Sequence, residues 1–145
     1  MPGSVRRRSG LLPPRFAAAA LMVVIAGVHF QQYVDFMSEV PTIGVLFLLN
    51  AAGGVGLAVA LLGREPLLRA LAALGAIGLA LGSLVSIFLA LDGSIFGYSE
   101  PSLRLPILIA IVAELLALPV LASVGIKSVQ ETLRGADGWP ARRGR

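Results

Sequence analysis

Four runs of apolar residues, each long enough to cross a lipid bilayer as a helix, dominate this chain. They cover about 16–34, 42–62, 67–91 and 103–126. At 1.5 Å of rise per residue such runs reach roughly 27–37 Å, which suits a hydrocarbon core about 30 Å thick. The links between them are short. The longest, "DGSIFGYSEPS" from Asp92 to Ser102, is rich in turn formers, and Pro41 and Pro66 stand where the second and third helices are expected to begin. Of the 145 residues, 57% are apolar and only 14% charged, too little charge to cover the surface of a soluble domain. The expected fold class is all-α: an integral membrane four-helix bundle in up-down-up-down order, with a basic N-terminal tail (1–15), the bundle (16–126) and a basic C-terminal tail (127–145).

The placement of charge sets the expected orientation. Arg6, Arg7, Arg8 and Arg15 precede the first run, Arg64 and Arg69 flank the second link, and Lys127, Arg134, Arg142, Arg143 and Arg145 follow the last run. The first and third links carry Asp35, Glu39, Asp92 and Glu100, with Arg104 the lone basic residue on that side. By the positive-inside rule both termini lie in the cytoplasm of a bacterial cell membrane. A membrane reading explains the basic clusters together, so no nucleic-acid partner is expected. Trp139 and its neighbouring arginines either rest on the anionic inner leaflet or form a disordered polar tail. The first run has one rival reading, a cleaved leader ending near "VIA", but it continues through His29 and Phe30 and is expected to stay as a span.

Absences narrow the chemistry. The chain has no cysteine and one histidine, which removes disulfides, thiol chemistry and any single-chain site needing two imidazoles. "GGVG" at Gly53–Gly56 lacks the third glycine and the preceding strand of a dinucleotide loop. No catalytic motif, cofactor or metal site is expected.

Spacing within the runs suggests how they pack. Small residues let helix backbones approach closely in lipid. Gly78, Gly82 and Ser86 recur at four-residue spacing in the third run, beside a row of Ala72, Ala76 and Ala80. Asn50, Gly54 and Ala58 do the same in the second, and Ala110, Ala113 and Ala117 line one face of the fourth. All are expected at helix–helix seams.

Against this background the acid in "LIAIVAELLALPVLA" (Leu108–Ala122) stands out. Glu114 lies near the centre of its span. Counting from each span's middle puts Asn50 roughly 3 Å outward of centre and His29 roughly 6 Å outward, with Ser83 at a similar level. Alternate helices run oppositely, so the four fall in one layer, in the middle and outer half of the membrane. Tyr33 shares a helical stripe with His29, Met22 and Ile25, while Gln31, Gln32 and Tyr33 sit near the interface, where amphipathic residues are ordinary. An ionisable group at mid-membrane costs on the order of 3 kcal/mol even on the insertion scale, so Glu114 is expected to face protein or a wet cavity. Pro119 cannot donate to the carbonyl of Leu115, and a kink there is expected to open room below Glu114. Arg104 is expected to pair with Glu100 or Glu39.

The stretches "GVHFQQYV", "PTIGVLFLLNAAGG", "IFGYSEP" and "AELLALPVLA" resemble the pattern of small four-span membrane proteins of actinobacteria, over most of residues 16–126. The resemblance implies a location and a fold and assigns no reaction; His29, Asn50 and Glu114 are its matching polar positions.

Two readings of the polar layer follow. In one, Glu114, His29, Asn50, Ser83 and Tyr33 form an intramembrane binding or proton site. In the other, a neutral Glu114 donates to His29 or Asn50 as a structural clasp. For the whole chain the favoured expectation is a non-enzymatic accessory, assembly or small-molecule-binding protein of the bilayer, within a larger membrane complex or a homo-oligomer. The alternative is a proton-coupled transporter or exporter using Glu114 as an oligomer. Small multidrug exporters share the four spans and the lone glutamate. Here, however, the acid is in the fourth span and the charge bias is too strong for dual insertion. An intramembrane enzyme or metal site of His29 and Glu114 is the third reading, with too few ligands in one chain.

Overall fold

The computed structural model describes residues 13–137 and is helical throughout, with no named strand among the described residues. Helix α1 spans Pro14–Gln32, α2 Ile43–Leu61, α3 Pro66–Asp92 and α4 Leu105–Asp137. All four are long and apolar enough to cross a membrane. The tails at 1–12 and 138–145, with Trp139 and the terminal arginine clusters, lie outside the described residues.

Size sorting of side chains explains the bundle. Its interior is built from small residues: Ala18, Ala73, Ala76 and Ala117 are fully buried around Met22, Ile25, Leu61 and Leu121. The outward faces carry the large ones, with Val59, Leu74, Phe88 and Leu105 all about two-thirds exposed. A water-soluble chain would invert this order. With lipid outside, apolar surface has no reason to hide and close backbone packing holds the helices. Contacts join α1 to α2, α2 to α3, α3 to α4 and α4 back to α1, closing the ring.

Three boundaries differ from the sequence expectation. Pro66 does open α3, but Pro41 does not open α2. Thr42 adopts φ 65°, and the Ile43 N–H donates to the Pro41 carbonyl at 2.7 Å, a tight γ-turn that a helix cannot include. Gly44 then packs so closely on the Met37 carbonyl that a Cβ would stand 2.3 Å from its oxygen. At the end of α1 the backbone widens into a π-helical turn over Tyr33–Met37, closed by the Ser38 N–H on the Tyr33 carbonyl at 2.8 Å. Finally, α4 does not stop near residue 126 but continues to Asp137. Arg69 supports that continuation. Buried near the start of α3, it donates to the Ser128 hydroxyl at 3.0 Å and the Gly63 carbonyl at 3.2 Å, and it pairs with Glu131. The last turns of α4 are therefore fastened to the α2–α3 link rather than released as a tail.

Pro119 lies within an unbroken α4 and is exposed, as is Leu115 one turn before it. The carbonyl it frees is on the outer face of the helix, away from buried Glu114, so the proline opens no room beside the acid.

Candidate functional site

The polar layer assembles around Ser83. His29 lies on the buried stripe of α1 with Met22 and Ile25. Its Nδ1 is 2.9 Å from the Ile25 carbonyl oxygen, and its Nε2 is 3.1 Å from the Ser83 hydroxyl on α3. The Phe47 ring of α2 packs against the imidazole with centroids 5.2 Å apart. From α4, Glu114 is 1% exposed, and its carboxyl lies beside the same Ser83 hydroxyl. The side-chain partner of His29 is thus Ser83, not Glu114 or Asn50.

The geometry gives the His29–Ser83 bond a direction. A carbonyl only accepts, so the Nδ1 facing Ile25 carries the hydrogen. In the neutral imidazole Nε2 must then accept, and Ser83 donates to it. The serine oxygen keeps acceptor capacity, and the Glu114 carboxyl lies beside it.

All four residues of the layer line one cavity of about 480 Å³. Gln32 and Asn50 face it alongside Glu114, and these three side chains hold four buried polar atoms with no partner: Gln32 Nε2 and Oε1, Asn50 Oδ1 and Glu114 Oε1. The only other such atom among the described residues is Arg15 Nε in the first turn of α1. Orphaned buried polar groups cost about 1–3 kcal/mol each, and these four lie within reach of whatever fills the cavity. Much of the remaining wall is apolar, including Val28, Leu46, Ile87 and Ile107.

At the mouth, the α3–α4 link folds over through a tight turn in which Phe96 and Gly97 both have positive φ and Ile95 and Tyr98 exchange backbone bonds. The turn brings Tyr98 to donate to Glu100 at 2.8 Å, and Arg104 grips the same carboxylate at 2.9 and 3.2 Å. Arg104 also lies 4.6 Å from the Phe36 ring centroid, joining this link to the α1–α2 link. Glu100 is buried, and burial together with the Glu100 carboxylate pushes the Tyr98 phenol up to about 12. The Glu100 bond likewise raises the Arg104 guanidinium.

Two sequence expectations change here. Tyr33 does not line the cavity; it stands half-exposed where the π-helical turn rotates the chain, and Gln32 takes the buried position instead. Gln32 follows Ile25 and His29 at helical spacing, which was the available signal for it. The second change concerns packing. Gly78 and Gly82 are exposed, and a Cβ on either would meet nothing within 4 Å. With Ser86, whose hydroxyl returns to the Gly82 carbonyl, they border the cavity rather than a seam. The seam of α3 is the adjacent row of Ala72, Ala76 and Ala80, all buried. Elsewhere the small residues do pack. Gly54 sits where a Cβ would come 3.0 Å from that of Ala26, and Ala58, Ala110 and Ala117 are buried.

Among the described residues no group of three His, Cys, Asp or Glu side chains is placed to hold a metal ion. No protein-family model, curated protein or solved structure matches the chain.

Proposed function

We propose that this chain is a small-molecule-binding protein of a bacterial cytoplasmic membrane, with its cavity opening toward the outer half of the bilayer. The carrying observation is the 480 Å³ cavity lined by the unpartnered polar atoms of Gln32, Asn50 and Glu114. That volume falls in the range of small-molecule sites, about 300–1,000 Å³, and the mix of apolar wall with few convergent polar groups is their usual composition. The up-down-up-down order draws support from contacts in opposite sense along neighbouring helices: Gly53 meets Leu79 while Gly75 meets Leu57, and Arg69 meets Ser128. Cytoplasmic termini follow from the charge bias alone. A label reactive only from the cytoplasm that modified a cysteine placed at Asp35 would overturn that orientation.

The test of binding is native mass spectrometry of the full chain extracted with its surrounding lipid. A small molecule is expected on the wild type and absent from Gly82→Leu, which fills the cavity from a position with open space around it. Its absence from both proteins would overturn the reading. The buried Glu114 on the cavity wall favours a second reading, proton-coupled export by an oligomer. It requires Glu114→Gln to abolish pH-dependent transport in a protein that still folds.

A further inference from the structure

From the polar part of the cavity lining we infer that its ligand is a lipophilic amine, entering sideways from the bilayer between α2 and α3. The inference rests on the reading of the cavity as a binding site and names what that site takes.

The side entrance follows from how α2 and α3 meet. They pack where Gly53 faces Leu79 and Gly75 faces Leu57. Toward the start of α2 that packing ends. Leu46 and Leu49 of α2, with Gly78 and Gly82 of α3, line the cavity and are exposed. Leu49 is 61% exposed, so the wall it belongs to is open toward the lipid. The other route, past the link over the mouth, is crossed by the Tyr98–Glu100–Arg104 network.

The polar part of the lining selects the head group. Three of its orphaned atoms are acceptors, Gln32 Oε1, Asn50 Oδ1 and Glu114 Oε1, against one donor, Gln32 Nε2. A head that gives hydrogen bonds fits that set, and one that only accepts them does not. Charge narrows it further. Arg104 is already spent on Glu100 and His29 on Ile25 and Ser83, so the described lining offers no free cation for an anionic head. It does offer one acid with an unused oxygen. A neutral amine crossing the lipid takes the proton of Glu114: an N–H bond forms, the carboxyl O–H breaks, and an ammonium–carboxylate pair results with no net charge carried in. The alkyl part of the ligand lies against the apolar wall and reaches the bilayer through the gap.

The experiment uses the full chain in lipid nanodiscs with three probes of equal chain length: decylamine, decanol and decanoate. Bound probe per chain is read by native mass spectrometry. Decylamine is expected to bind the wild type most tightly. Glu114→Gln is expected to weaken it roughly 10- to 100-fold, the loss of a charge-assisted hydrogen bond, while leaving decanol unchanged. Gly82→Leu, which needs no intact acid, is expected to exclude amine and alcohol alike. Decanol or decanoate binding as tightly as the amine, or wild-type amine affinity in Glu114→Gln, overturns the amine assignment and leaves a ligand site standing. Amine binding that survives Gly82→Leu overturns the side entrance and the placement in this cavity. Should Glu114→Gln fail to fold, the ranking of the three probes on the wild type decides the head group by itself. No probe bound to the wild type overturns the amine assignment; the reading of the cavity as a site falls only if the extracted chain also carries no molecule.

Discussion

His29 and Ser83 are joined across the membrane interior by a bond of 3.1 Å, and the orientation of that bond is fixed from the far side of the imidazole by the Ile25 carbonyl. Helices α1 and α3 meet through this polar contact on a histidine that is 6% exposed. Interhelical hydrogen bonds in membranes average about 0.6 kcal/mol and reach about 1.7. Here the imidazole is also anchored on its other side by the Ile25 carbonyl, so the upper part of that range is expected. A double-mutant cycle of Ser83→Ala and His29→Ala, followed by unfolding in mixed micelles, should give a coupling energy of about 1–1.7 kcal/mol. Ser83→Thr keeps the hydroxyl and should restore most of it. A coupling near zero would mean that the two side chains are neighbours without being partners.

Tyr98 supplies a pH-dependent prediction at the mouth. Its phenol is held neutral by burial first and by the adjacent Glu100 carboxylate second, and titrates at about 12 instead of its ordinary 10. A folded value above the unfolded one means that the folded state keeps its proton longer. Its contribution to stability is complete below pH 10 and is lost as the pH rises through about 12. Phenolate absorbance should show a high-titrating tyrosine in the wild type that disappears in Tyr98→Phe. In Glu100→Gln it should move back toward 10, without reaching it, because burial remains.

Arg69 and Glu131 allow a contrast between the two ends of one ion pair. The Arg69 side chain is 9% exposed and the Glu131 side chain 52%. Removing the arginine deprives fully buried Ser128 of its donor and releases the Gly63 carbonyl, so Arg69→Ala should cost about 2–4 kcal/mol. Removing the exposed acid forfeits little, and Glu131→Gln should cost about 1 kcal/mol or less. Thermal unfolding of the two variants side by side checks the ratio. Hydrogen exchange should also show the last turns of α4 fraying in Arg69→Ala.

Much of this architecture is legible in the sequence because lipid makes simple demands. Span length and the positions of polar residues within each span are set by bilayer thickness, and counting along the spans already puts His29, Asn50, Ser83 and Glu114 at one level. Helix rotation is what counting cannot supply. Gln32 and Tyr33 are adjacent, both amphipathic and both at helical spacing from His29; Gln32 stays on the buried stripe of α1, and the widened turn begins at Tyr33. The far end of α4 was hidden for a different reason. Polar residues after 126 resemble a solvated tail, and their order depends on a side chain, Arg69, that lies far away in sequence. Nor does composition reveal which small residues touch a neighbour. In α3 the alanines do and the glycines do not.

The glycines therefore provide a direct test of where the bundle is tight. At Gly78 and Gly82 an added methyl meets nothing within 4 Å, and alanine is a better helix former than glycine by about 1 kcal/mol in water. Gly78→Ala and Gly82→Ala should be neutral or stabilising. Gly54→Ala brings two methyl groups to 3.0 Å across the α1–α2 seam, which must part to admit it, and a loss of about 1–3 kcal/mol is expected. Gly44→Ala is more severe, since its Cβ would fall 2.3 Å from the Met37 carbonyl oxygen, on backbone that cannot swing aside. It should unfold the α1–α2 link or prevent accumulation of the protein altogether. Melting temperatures of the four purified variants should rank Gly78 and Gly82 at or above wild type, Gly54 below it, and Gly44 lowest. A destabilised Gly82→Ala would place a helix against the face that borders the cavity, and the gap between α2 and α3 would then be closed.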